Sequence, residues 1–231
     1  RVLQVIPSLA SIHGGPSCAM RLIEQVLLSQ GIDVQTVTTN DDGAGRFNNN
    51  PTGLPIEEDG VVRWYFPKRW DFYKYSPGLG SWLSEHVRDY DLLHIHALFS
   101  HASVAGARAA RQAGLPYVIR PLGTLNRYGV EQRRPWLKRL SLRFIEGPIL
   151  HDAAAVHFTT GIERVEAERL GIPMNGVVIP LGITSQPKGT AAAVFDRYPE
   201  LRDQRVLLFL SRLDPKKNVE GLLQAFSQVS H

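Results

Sequence analysis

The chain has 231 residues, 43% of them hydrophobic and 21% charged, with a formal net charge of +4 and a pI near 9.3. These values suit a soluble globular protein of one large domain, or one and a half, with room for a sizeable core. The positive balance suits anionic ligands or a membrane surface and is too small to argue for nucleic acid. A single cysteine, Cys18, excludes an internal disulfide and a thiolate metal cluster and points to a reducing compartment. The longest aliphatic runs, "RVLLFL" and "GVVIPLGI", fall far short of a membrane span, and no basic-then-apolar leader precedes "RVLQVIP". A cytoplasmic protein is expected.

In chain order, "VLQVI" reads as a buried strand. After Pro16, the residues Ala19, Leu22, Ile23, Val26 and Leu27 recur at helical spacing and predict one buried helix face ending at Gly31. "DVQTVTT" is strand-like, and the polar stretch "NDDGAGRFNNNPTGLPIEEDG" reads as loop. "VVRWYF" predicts a strand, "PGLGSWLSEHVRDY" a helix, "DLLHIH" a strand and "SVAGARAARQAG" an alanine-rich helix. "PYVIR" is a strand, "RRPWLKRLSLRFIEG" a basic helix, "AAVHF" a strand, "GIERVEAERLG" a helix and "GVVIP" a strand. Strands and helices alternate without tight two-residue hairpins, so an α/β fold is predicted: a mainly parallel, Rossmann-like sheet with helices on both faces. Residues 1–182 form this domain and 183–204 a connection. Residues 205–231, opening with "RVLLFL", begin a second sheet domain that the chain leaves incomplete.

In such sheets ligands bind at the carboxyl ends of strands. Gly14 and Gly15 close the first such loop, just before a helix with Pro16 in its first turn. Glycine admits close backbone approach and a helix start favours phosphate; a plain glycine turn is the alternative. Neither a Walker loop nor the dinucleotide fingerprint is present, which disfavours a nicotinamide enzyme. Arg212, Lys216 and Lys217 follow "VLLFL", and guanidinium and ammonium groups there can hold phosphate or simply be solvated. His94 and His96 share one side of their strand; no nearby carboxylate or thiolate completes a metal site, so no metal is expected. His96, at the strand end, suits acceptor binding or proton handling, and His94 packing. Arg120, Gly123, Thr124 and Asn126 follow the next strand and offer charge, backbone access and hydrogen bonds to a polyhydroxylated ligand. Eight of the twenty aromatics lie between Trp64 and Trp82; some belong to the core, and the rest can form a wall for an acceptor. Over residues 133–146, Trp136, Leu137, Leu140 and Phe144 are flanked by Arg134, Lys138, Arg139 and Arg143. That helix can lie on anionic lipid or pack on the sheet. Cys18 reads as a small buried hydrophobe.

Together, "IPSLASIHGGPSCAMRLIEQVLLSQGIDVQTVTT", "DLLHIHALFS", "AAVHFTTGIERVEAERLGI" and "LSRLDPKKNVEGLLQAF" resemble the retaining, GT-B-fold glycosyltransferase family 4 in order and spacing across essentially the whole chain. The resemblance implies transfer of a sugar from a nucleotide diphosphate sugar to a hydroxyl of a glycan, glycolipid or polysaccharide, with retained configuration and no cofactor or metal. It implies that Gly14 and Gly15 meet the donor diphosphate from the first domain and that Arg212 and Lys217 hold it from the second. His96 and Arg120 take the catalytic positions, and Gly123, Thr124, Asn126, Thr160 and Glu163 face the acceptor. It further implies that the nucleotide pocket and the family's Glu-x7-Glu motif lie outside this chain, so that the fragment alone is inactive. The pattern departs in three places: Leu122 stands in "RPLGT" where many relatives have histidine, Pro180-Leu181-Gly182 replaces "PNG", and Ser211-Arg212-Leu213 replaces "GRL". Arg120 is expected to take over part of the absent histidine's role. A non-catalytic module that binds an acceptor or lipid, and partners a separate donor-binding chain, is the alternative. A peripheral position on the inner face of a membrane fits the basic helix.

Overall fold

Side-chain alternation sorts the residues of each strand between two unlike sheet faces. The computed structural model describes residues 1–126, 130, 135–183, 191–211, 213 and 215–229. Its strands are β1 (Val2–Val5), β2 (Val34–Thr39), β3 (Pro55–Glu58), β4 (Val61–Phe66), β5 (Leu92–His96), β6 (Tyr117–Arg120), β7 (Ala155–Phe158) and β8 (Gly176–Val178). They form one eight-stranded sheet in the order β3-β4-β2-β1-β5-β6-β7-β8, parallel throughout except for β3. One face presents Leu3, Val5, Val37, Leu93, Ile95, Ile119, Val156 and Phe158, all buried in the main core. The opposite face presents Thr36, Arg63, Gln4, His94, His96, Arg120 and His157, which the strand registers bring side by side.

Helices cover the two faces unequally. Helix α2 (Pro77–His86) and helix α3 (His101–Ala113) pack on the apolar face; a Cβ at Gly106 would sit 3.2 Å from Ile95 Cδ1, so glycine lets α3 lie close to the sheet. Helix α1 (Gly15–Ser29) covers the polar face over β1, β2 and β4. The buried line is rotated around the helix away from the predicted face. Ser17, Met20 and Glu24 are its buried residues, whereas Val26 is exposed and Leu22, Ile23 and Leu27 are half-buried. The cause lies underneath. Arg63 is buried on that sheet face, and its Nη2 donates to Glu24 Oε2 at 2.5 Å while Thr36 Oγ1 donates to Glu24 Oε1 at 2.5 Å. Burial opposes the charge on Arg63, but the Glu24 and Glu58 carboxylates raise its pKa above the ordinary value. Cys18, predicted buried, is exposed on the same helix.

The stretch expected to be loop contains β3, and a two-residue hairpin joins it to β4. Asp59 (φ 55°) and Gly60 (φ 77°) both occupy the left-handed region, as a type I′ turn requires, and Glu58 pairs with Val61. Beyond β6 the chain forms α4 (Pro135–Ser141), a π-helical segment (Leu142–Glu146) and α5 (Gly147–Asp152). The wide π turn brings the Leu142 carbonyl oxygen to 2.4 Å from where a Cβ at position 147 would stand, so only glycine fits there. Helix α6 (Gly161–Glu168) follows β7.

The chain divides into two units, Arg1–Thr184 and Ser185–His231. The second holds α7 (Ala192–Arg197) and a short 3-10 turn within the expected connection, then a 3-10 turn at Pro215–Lys217 and α8 (Val219–Val229). "RVLLFL" is not a strand: residues 205–210 pair with no neighbour, and Val206, Leu207, Leu208 and Leu210 are exposed. A strand is held by ladder hydrogen bonds and a covered face, and the described part of this unit supplies neither.

Candidate functional site

The strand order reverses direction beside β1: the chain runs outward to β2 and β4 on one side, then crosses to β5, β6, β7 and β8 on the other. Loops leaving the carboxyl ends of β1 and β5 therefore diverge, and in sheets of this kind the ligand crevice lies between such loops. Gly14 and Gly15 border it from β1. Gly14 has φ 66° and ψ −120°, and no side chain caps the start of α1. A Cβ added at either glycine would meet nothing within 4 Å, so the space above this loop is open.

The glycine loop is anchored from behind. Ser8 Oγ donates to the Asp41 carbonyl at 2.9 Å, Thr39 Oγ1 to the Pro7 carbonyl at 2.7 Å and Ser17 Oγ to the Ala10 carbonyl at 2.8 Å. His13, directly before the glycines, places Nε2 2.7 Å from Asp41 Oδ2. Asp41 is fully buried and also accepts from Lys68 Nζ at 2.5 Å and Lys74 Nζ at 2.7 Å. Burial raises a carboxyl pKa, but the bonds from Lys68, Lys74 and His13 outweigh it and hold Asp41 at about 2. This hub is absent from the sequence reading, because its members are spread over residues 13–74 and only the fold collects them.

His96, Arg120 and His157 end β5, β6 and the adjoining stretch of β7 on the polar face. His96 is fully buried; its Nε2 donates to Gln4 Oε1 at 2.7 Å, which leaves the buried Nδ1 as an acceptor without a partner. Its ring lies 4.1 Å from that of His94, and His94 stacks on His157 at 5.6 Å. Burial lowers the pKa of all three histidines, that of His94 to about 3, aided by Arg120 and, for His94 and His96, by the neighbouring rings, while the Ile179 carbonyl and Glu163 oppose the shift at His157; the imidazoles are neutral at physiological pH. Arg120 is 4% exposed, and its Nε and Nη1 are buried without hydrogen-bond partners. Burial lowers its pKa, opposed by the Glu163 charge. A buried guanidinium with unmet donors is a strong anion and hydroxyl receptor. His157 was missed by the sequence reading; strand alternation in "AAVHF" places it on the same side as Arg120.

The loops after β6 and β7 are stapled together by Glu163. Its Oε1 accepts from the Gly123 amide at 2.9 Å, and its Oε2 accepts from the Thr159 amide and hydroxyl, both at 2.8 Å. Thr160 is exposed and caps α6 by accepting from the Glu163 amide at 3.1 Å, and Thr124 Oγ1 donates to the Pro121 carbonyl at 2.7 Å. Asn126, half-buried, follows in the same loop. Among the described residues, non-glycine left-handed backbone concentrates at these strand ends: Tyr73 and Lys74 after β4, Ala97 and Phe99 after β5, and Leu122 after β6. Such strain persists where surrounding structure enforces it, and it clusters at ligand sites. Of the aromatics between Trp64 and Trp82, Phe66 is core as expected and so is Trp82, whereas Trp70 and Phe72 are exposed.

In the second unit, Lys217 is exposed in the turn that precedes α8. Arg212 lies outside the described residues, as do Arg133 and Arg134 of the basic helix. Among the described residues no cluster of three or more His, Cys, Asp or Glu side chains is arranged to hold a metal, and no helix is long and apolar enough to cross a membrane.

The family model described as "Glycosyl transferase 4-like domain" matches residues 14–182, from the glycine loop to the end of the first unit. The chain belongs to this family. Among solved structures it resembles sucrose-phosphate synthase from Thermosynechococcus elongatus (19% identity, TM-score 0.68), covering 99% of this chain and 60% of that one. Anabaena HepE in complex with UDP and glucose is similar at 18% identity and TM-score 0.63, covering 99% of this chain and 58% of that one. HepE in complex with UDP-glucose matches at 17% identity and TM-score 0.61. No curated protein sequence matches. The chain thus spans about three-fifths of the length of these structures. The shared fold is GT-B, and the first unit is its leading Rossmann-like half.

Proposed function

We propose that this chain carries the acceptor-side half, and the beginning of the donor-side half, of a retaining glycosyltransferase that moves a sugar from a nucleotide diphosphate sugar to a hydroxyl of a glycan, glycolipid or polysaccharide. The observation that carries this reading is the buried guanidinium of Arg120, with unmet Nε and Nη1 donors, at the carboxyl end of β6, inside a domain matched by the glycosyltransferase family model. In the reaction the bond from the anomeric carbon to the diphosphate breaks, the acceptor hydroxyl oxygen bonds on the face the diphosphate leaves, and the hydroxyl proton passes to the departing diphosphate oxygen. The Gly14 amide is taken up by the Ser11 carbonyl at 2.9 Å, so the Gly15 amide, with the cations Arg212 and Lys217, stabilises the charge that gathers on the diphosphate. Arg120 orients acceptor oxygens. His96, sealed between Gln4 and His94, acts as a positioning residue that sets the end of β5. Gly123, Thr124, Asn126 and Thr160 line the acceptor approach, and Glu163 holds their loops in place. The uridine nucleotides in the HepE structures support a nucleotide-sugar donor here. No cofactor or metal is needed by this arrangement, and the protein works in the cytoplasm.

Titration calorimetry of the protein encoded by the whole gene against a panel of sugar nucleotides tests the reading. Lys217→Ala is expected to weaken donor binding by about 1–3 kcal/mol. Unchanged affinity removes Lys217 from the donor site, and no binding to any sugar nucleotide overturns the reading.

A further inference from the structure

The helical stretch 135–152 turns Leu142, Glu146, Ile149 and Leu150 inward and leaves an outward stripe at helical spacing: Trp136, Arg139, Leu140, Arg143, Phe144 and Ile145. Trp136 is 69% exposed, Leu140 52% and Phe144 65%. Large apolar groups repeated at every fourth position on an outer face indicate a surface that meets something apolar. No acidic side chain interrupts the stripe; Glu146 faces inward. Beside it, a cleft of about 490 Å³ has an apolar floor of Val130, Leu142, Leu170 and Ile172 under the guanidinium groups of Arg139, Arg143 and Arg169. None of the three arginines makes an ion pair with a described residue, and Glu166, also on the cleft wall, pairs with none of them. An aromatic and aliphatic ridge flanked by arginines that form no ion pair among the described residues, Arg143 lying 5.6 Å over the Phe144 ring, matches the interface of an anionic bilayer, where rings settle at headgroup depth and guanidiniums meet phosphates.

The inner side of the same helix grips the loops that frame the crevice. Tyr73 donates its hydroxyl to Glu146 and lies 3.1 Å from Ser141 Oγ, while Lys138 Nζ stands 5.1 Å above the Phe99 ring. We infer that the 136–145 face docks on anionic phospholipid, with headgroup phosphates drawn to the arginine cleft, and that this contact sets the carboxyl ends of β4 and β5 beside the bilayer surface. The inference does not depend on sugar transfer.

Vesicle sedimentation tests it, with phosphatidylcholine alone and with about 30% phosphatidylglycerol. The wild-type protein is expected to sediment with the anionic vesicles, less so as salt rises, and hardly at all with neutral ones. Arg139→Gln with Arg143→Gln should weaken binding about 25-fold, roughly fivefold per arginine. Trp136→Ser with Leu140→Ser and Phe144→Ser should abolish it. These five side chains are exposed, so an unchanged circular dichroism spectrum is expected for both variants. Equal sedimentation with both vesicle types, or undiminished binding by the triple variant, overturns the inference; the latter would move the contact to the exposed Val206, Leu207, Leu208, Leu210 and Leu213. A dimer that the triple variant dissociates, with no vesicle binding, overturns it in favour of an interface between copies.

Discussion

Replacing Asp41 with asparagine strikes the hub behind the glycine loop. The folded carboxyl group titrates at about 2 rather than 3.8, because Lys68, Lys74 and His13 converge on a side chain with no solvent exposure. A carboxyl pKa lowered by folding stabilises the protein above the unfolded value and loses that contribution as pH falls through the folded one. The difference corresponds to about 2 kcal/mol, fully present above about pH 4 and gone near pH 2. In Asp41→Asn the Lys68 ammonium stays buried with only Asp71 and the Gly43 carbonyl as partners. A cost of about 3 kcal/mol at neutral pH is expected from that buried imbalance of charge. Urea unfolding of both proteins, followed by circular dichroism between pH 2 and pH 7, measures it. The stability gap should be widest at neutral pH and narrow by about 2 kcal/mol on acidification. Parallel curves across that range would refute the assignment of Asp41 as the titrating hub.

Two further outcomes are expected. Gly147→Ala pushes a methyl group against the Leu142 carbonyl oxygen and should cost more than about 2 kcal/mol in urea unfolding; a neutral result would mean the π segment relaxes freely. Arg120→Met removes a buried charge whose Nε and Nη1 donors are unmet and should stabilise the unliganded protein by about 1–3 kcal/mol while ending transfer by the complete enzyme; loss of stability would show that Arg120 is structural.

Much of the sheet was legible because parallel strands buried on both faces read as short apolar runs between glycine and proline breaks. The glycine loop and the strand-end positions of His96 and Arg120 followed from that order. The phase of α1 did not: its apolar residues suggested one buried face, but the sheet beneath it carries Arg63 and Thr36, so the helix turns Glu24 inward. Strand β3 was hidden by its polar composition, although Asp59-Gly60 was a hairpin signal in plain view. "RVLLFL" has strand composition without strand partners, which no local pattern reveals. The unmet donors of Arg120 and the hub at Asp41 arise from residues far apart in the chain, and only the assembled sheet exposes them.

Every residue of the main core lies between Leu3 and Ala167. As the polypeptide emerges from the ribosome, the leading unit can therefore condense before its successor has been synthesised. The rate of that step is set by β1 waiting for β5, some ninety residues away, the longest closure in its topology.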